Sequence, residues 1–109
     1  MSTIQEIIDL LIKFRNERNW EQFHNSKDLA LALSIETSEL NELFLWKSPE
    51  DVDVEKLKEE LADVFIYAFL LAKKHDLDVK DIVVSKTKLN EKKYPSKKAK
   101  NSAKKYNEL

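Results

Sequence analysis

The sequence predicts an all-α protein organised as a four-helix bundle. Glycine is absent and there are only two prolines, Pro49 and Pro95, among 109 residues. Such a chain is poorly suited to turn-rich β architecture. Apolar residues recur at steps of three and four in successive stretches, the signature of packed helices. Thr3, Asn25 or Ser26, Asp51 or Asp53, and Asp78 stand at the starts of those stretches, where short polar side chains cap helices. The length suits a single domain, over residues 1–95, with a lysine-rich tail over 96–109.

In chain order, Thr3 and Glu6 read as a capping box opening the first helix. Ile4, Ile7, Ile8, Leu11 and Phe14 form its apolar face to about Arg15, and nothing in it looks chemical. Residues 19–25 (NWEQFHN) break the period and connect to the next helix. Trp20 and Phe23 would staple this connection to the bundle, and an isolated His24 is more often structural than chemical. Glu21 and His24 also match the E-x-x-H pattern of di-iron bundles. That site needs two such motifs on helices, and only one is present.

The second helix begins near Ser26, capped by Asn25 or Ser26, and is expected to run to about Trp46. Its stripe is Leu29, Leu33, Leu40 and Leu43, and the position that completes the stripe is Glu36. An acid therefore stands where the pattern asks for leucine. Glu39 lies one turn on, at the edge of that face, and Trp46 continues the edge. An E-x-x-E pair is usually a solvated face; that reading suits Glu39 and Glu42 but not Glu36. After a loop around Pro49, Asp51 or Asp53 caps the third helix, which ends near His75. Leu57, Leu61, Val64, Ala68 and Leu71 form its buried stripe, bordered by Glu60, Asp63 and Tyr67. From Val64 onward it is apolar nearly all round, so more than one layer should cover it. Lys73, Lys74 and His75 put positive charge at its C-terminus, which suits the macrodipole. Asp78 caps a fourth helix packed by Val79, Ile82, Val83 and Leu89, with Lys86, Asn90 and Lys93 along one polar line, stopped at Tyr94-Pro95.

The two acidic pairs belong together. Adjacent antiparallel second and third helices would bring Glu36, Glu39, Glu60 and Asp63 face to face. Unneutralised, such carboxylates repel one another and bind protons more tightly. Mg²⁺ or Mn²⁺ would make the cluster a stable all-oxygen site, and no cysteine or paired histidine is present for zinc. Divalent ions held this way complete their shells with phosphate oxygens and water, and they polarise phosphoryl groups for in-line attack. Lys86, Asn90 and Lys93 supply donors for phosphates. Trp46, Tyr67 and Trp20 offer flat surfaces for a base, and His24 and Asn25 offer hydrogen bonds to a base edge or sugar. The pattern points to a nucleotide polyphosphate site.

These residues resemble the all-α nucleoside triphosphate pyrophosphohydrolases of the MazG-like superfamily. E-x-x-E (Glu36, Glu39) followed by E-x-x-D (Glu60, Asp63) carries the likeness. The segments WEQFHNSKDLALALSIETSELNELFLWK, EELADVFIYAFLLA and KTKLNEKKYP look, in order, like those of its dCTP pyrophosphatase branch. The resemblance implies Mg²⁺-dependent hydrolysis of a nucleoside triphosphate to monophosphate and pyrophosphate, without a covalent intermediate. It implies Glu36, Glu39, Glu60 and Asp63 as metal ligands. It places His24, Trp46 and Tyr67 around base and sugar, and Lys86, Asn90 and Lys93, with Tyr94 nearby, on the phosphates. Lys93 stands where the branch often has arginine, so it offers a point charge instead of a fork. The resemblance further implies a homodimer or dimer of dimers, the bundle core being completed by the neighbouring subunit. The substrates it suggests are dCTP-like or modified pyrimidine nucleotides, cleared from the nucleotide pool.

A competing reading is a non-catalytic helical assembly module with solvated acids. A further one gives the tail a partner: seven lysines and no acid lie between Lys92 and Lys105. The formal net charge of −1 does not suggest a general nucleic-acid binder. The start has no basic-then-apolar secretion pattern, and the apolar run from Val64 to Ala72 is too short to span a bilayer. The sequence-based expectation is a soluble, cytoplasmic protein.

Overall fold

In the computed structural model, which describes residues 3–109, every regular element is helical. The helices are α1 (Ile4–Glu17), α2 (Ser26–Glu42), α3 (Val54–Lys74), α4 (Val79–Lys93) and the one-turn α5 (Ser96–Ala99). Short 3₁₀ turns occupy Glu21–Phe23, Pro49–Asp51 and Tyr106–Glu108. The chain divides into two units, one up to Leu77 and one from Asp78.

Local chemistry sets the helix starts. Thr3 Oγ1 accepts from the Glu6 N–H at 3.1 Å, opening α1. Asn25 Oδ1 accepts from the Asp28 N–H at 2.9 Å, opening α2. Asp53 Oδ1 accepts from the Glu55 and Lys56 N–H groups at the start of α3, and Asp78 Oδ1 from the Asp81 N–H at the start of α4. Each satisfies a donor that the first helical turn leaves without an internal partner. Asn25 also donates from Nδ2 to Asp28 Oδ2 at 2.7 Å, so both ends of its carboxamide are occupied by capping.

In the first unit, α3 packs against α2 and α1. Ile8, Leu29, Leu70 and Ala72 are the buried apolar residues. Leu29 is 2% exposed, and burial of a leucine this complete stabilises the fold by about 1.5–3 kcal/mol. The buried positions of α3 are thus Leu70 and Ala72; the expected stripe is only half-buried, and Leu61 is exposed.

The structure corrects three other expectations. α2 ends at Glu42, one turn short of Trp46. Leu43, Phe44 and Leu45 bond back three residues instead of four, a tightening common at helix ends. Trp46 then takes φ 62 and stands 93% exposed. In the second unit, Ile82, Val83 and Leu89 are exposed, so the apolar residues of α4 are not packed as the pattern suggested. His75, read as a macrodipole charge alone, also meets Ser26: its Nε2 lies 2.6 Å from Ser26 Oγ, linking the C-cap of α3 to the start of α2. Among the described residues no helix is long and apolar enough to cross a membrane.

Candidate active site

Glu36 sits midway along α2, and Glu60 and Asp63 lie one turn apart on α3. Residues three apart share a helix face, and the packing of α2 on α3 turns the two acidic faces together. One carboxylate oxygen from each of Glu36, Glu60 and Asp63 lies within 4.8 Å of the other two. All three residues are half-buried, whereas Glu39 is exposed at the edge of the group.

The electrostatics of the cluster are uncompensated. Burial, then the charges of Glu39 and Asp63, push the Glu36 carboxyl up to about 7. Burial also raises Glu60, helped by the adjacent carboxyls of Glu39 and Asp63. Among the described residues, Oε2 of Glu36 and Oε2 of Glu60 are shielded from solvent with no hydrogen-bond partner. A buried carboxylate oxygen without a donor is costly, and here the neighbouring groups are further carboxylates. The donor set is oxygen alone. It fits a hard divalent cation, which would supply the missing positive charge.

Beside the cluster lies a cavity of about 230 Å³, and Asp63 belongs to both. Its other walls include Arg15, Trp20, His24 and Tyr67. Trp20 packs edge-to-face on Phe14, with ring centroids 5.8 Å apart, and the Arg18 guanidinium covers Phe14 at 3.6 Å. Arg15 pairs with Glu21 at 3.4 Å. Nδ1 of His24 is buried and has no partner among the described residues. Burial, with the charges of Arg15 and Lys74, holds His24 below its ordinary value, so the ring is neutral near pH 7. Burial and the nearby charges of Glu36 and Asp63 raise the Tyr67 phenol, which keeps its proton. An apolar-walled cavity thus presents a neutral imidazole and a phenol next to the carboxylate cluster, a composition typical of small-molecule sites.

The first unit therefore brings together Glu36, Glu60, Asp63, His24 and Tyr67, with Glu39 at the rim. Trp46 is not part of the cavity wall, and its side chain stands in solvent. Asn25 is engaged as a helix cap. Lys86, Asn90 and Lys93 lie exposed on α4 of the second unit, with Tyr94 at its C-cap. Sequence reasoning missed Phe14 and Arg15, because their helix reads as a plain packing helix. The signal available was Arg15 standing at the end of that helix, just before the aromatic connection.

The chain has clear relatives. The MazG-like family model matches residues 31–109. The chain is 40% identical to the dCTP pyrophosphatase 1 of Homo sapiens over 115 residues, which covers 98% of this chain and 68% of the relative. The dCTP pyrophosphatase 1 of Mus musculus matches at the same identity and coverage. Among solved structures, a pyrophosphatase from Archaeoglobus fulgidus superposes with a TM-score of 0.78 at 35% identity, covering 87% of this chain and 94% of that one.

Proposed function

The chain belongs to the MazG-like family, and on that premise we propose that it hydrolyses nucleoside triphosphates to the monophosphate and pyrophosphate, with dCTP-like pyrimidine nucleotides as its substrates. Its relatives make it a nucleotide pyrophosphatase. The observation that carries the reading is the orphaned carboxylate cluster of Glu36, Glu60 and Asp63, opening onto a cavity wide enough for a base.

In this reading Glu36, Glu60 and Asp63 would hold Mg²⁺, and Glu39 would join them from the rim. When bound, the ion supplies positive charge that polarises phosphoryl oxygens and lowers the pKa of water. The chain's own groups do the rest. Half-buried carboxylates fix where charge is neutralised, and the cavity wall excludes bulk water. Neutral His24 can donate from one ring nitrogen and accept at the other, so it reads the edge of a base or a sugar hydroxyl. Tyr67 donates from a phenol that remains protonated, and Trp20 offers a face for stacking. Lys86, Asn90 and Lys93, with Tyr94, are assigned the phosphates by the family resemblance, and Trp46 is assigned to the base.

We further propose that two copies of the chain associate. Ile35 of α2 and Phe65 of α3 are 51% and 52% exposed, a large apolar display for helices of a small domain. A second copy presenting the same surface would cover them. Sedimentation of the intact chain tests this: a dimer or tetramer is expected, and a monomer at micromolar concentration would contradict it.

The reaction is tested by supplying nucleoside triphosphates with Mg²⁺ and separating pyrophosphate from phosphate. Pyrophosphate and monophosphate in equal amounts, fastest with dCTP-like substrates, are expected. Stepwise release of single phosphates, or no turnover of any triphosphate, would contradict the reading.

A further inference from the structure

α4 closes at Lys93, and the chain beyond folds back onto that end. The Tyr94 N–H bonds to Asn90 O at 2.7 Å, and Pro95 cannot extend the helix. α5 makes a single turn, and Asn101 then takes φ 65, a left-handed conformation that asparagine tolerates. The 3₁₀ turn Tyr106–Glu108 follows. The reversal sets the Tyr106 ring edge-to-face on Tyr94, with centroids 6.2 Å apart and planes at 84°. It also sets the Lys93 ammonium 5.0 Å from the centre of the Tyr106 ring. Among the described residues Lys93 forms no salt bridge, and the run from Lys92 to Lys105 contains no acid. The aromatic ring is thus its recorded electrostatic partner.

Lysine carries a point charge on a flexible stem and loses much rotamer freedom when it grips an anion. A ring beneath the ammonium restricts the stem in advance, while N–H donors facing away from the ring stay free for an acceptor. Because Tyr94 braces that ring, the restriction is itself held in place.

We propose that Tyr106 is a positioning residue for Lys93, pre-setting its ammonium for the triphosphate of the substrate. The inference rests on the pyrophosphohydrolase reading above and on Lys93 as a phosphate contact. The residues 96–109 then serve the reaction as a strap that returns Tyr106 to the end of α4.

The test is steady-state hydrolysis of dCTP with Mg²⁺ by the full chain, by Tyr106→Leu, Tyr106→Phe and Lys93→Met, and by the Tyr106→Leu, Lys93→Met double variant. Tyr106→Leu is expected to raise KM about three- to tenfold, within the range of a cation–π contact, with kcat within about twofold. Tyr106→Phe keeps the ring and should return KM to within about twofold of the unchanged chain. With Lys93 already replaced, adding Tyr106→Leu should shift KM by less than about twofold, because the two residues act through one contact. An unchanged KM in Tyr106→Leu, failure of Tyr106→Phe to restore it, or an equal rise in the Lys93→Met background would each overturn the positioning role while leaving the reaction intact. No release of pyrophosphate by the unchanged chain would overturn the underlying reading, and this inference with it.

Discussion

At the N-termini of α3 and α4, Asp53 and Asp78 face backbone N–H groups; midway along α2 and α3, Glu36, Glu60 and Asp63 face one another. The side chains carry the same carboxylate, and their surroundings differ for a geometric reason. The first turn of a helix has free N–H donors, whereas in the middle every N–H is already bonded to a carbonyl four residues back. A terminal acid is therefore satisfied by the chain itself. An acid in mid-helix that is turned toward other acids can be satisfied only by something added. The terminal acids explain why helices start where they do, and the central ones carry the proposed reaction.

The sharpest way to break this comparison is to replace a central acid by its amide. Glu36→Gln or Asp63→Asn should lower turnover at least about a hundredfold, since even groups that merely support metal ligands cost 10–100-fold. The metal-free form of Glu36→Gln should melt no lower than the unchanged chain, because the substitution removes repulsion among half-buried acids. Loss of folding in both variants would place the cluster with the structural acids instead. Circular dichroism beside the activity assay distinguishes the outcomes.

Adding Mg²⁺ should have the next largest effect. At a hundredfold excess over Kd, ligation stabilises the fold by about 2.7 kcal/mol, roughly ten degrees or more in Tm for a domain of this size. The effect depends on pH. Glu36 holds its proton more tightly in the fold than in the unfolded chain, so its contribution is present below the ordinary glutamate range and lost as pH rises through about 7. The metal-free Tm should fall across that window, and saturating Mg²⁺ should flatten the fall. Thermal melts from pH 4.5 to 8, with and without Mg²⁺, check both signs.

Asp53→Ala should cost about 1 kcal/mol, the usual value of an N-cap, and leave kcat alone. The Ser26–His75 contact should matter least. Both residues lie near the surface, and Ser26→Ala should lose about 0.5 kcal/mol, read by denaturant titration.

What the sequence made legible follows the same division between local and distant causes. Thr3, Asn25, Asp53 and Asp78 all cap helices, because a cap depends on three or four consecutive residues. Glu36 stood out because it interrupts a leucine stripe, a signal carried within one helix. The early end of α2 did not show, since the exposed, left-handed Trp46 belongs to a tightening turn ahead of Pro49 that leaves no mark in the apolar period. The period also misjudged α4: Ile82, Val83 and Leu89 fall at helical spacing, yet spacing does not say what covers a face. Arg15 reaches the cavity only because the chain beyond α1 and the end of α3 meet beside it, a tertiary fact. The Ser26–His75 pair spans distant parts of the sequence for the same reason.

Isothermal titration of Mg²⁺ into the metal-free chain bears most directly on whether the central acids share a cation. Run near pH 7 in buffers of different ionisation heat, it should give saturable binding with proton release from Glu36, abolished in Asp63→Asn. No binding heat, or equal binding in Asp63→Asn, would contradict the account.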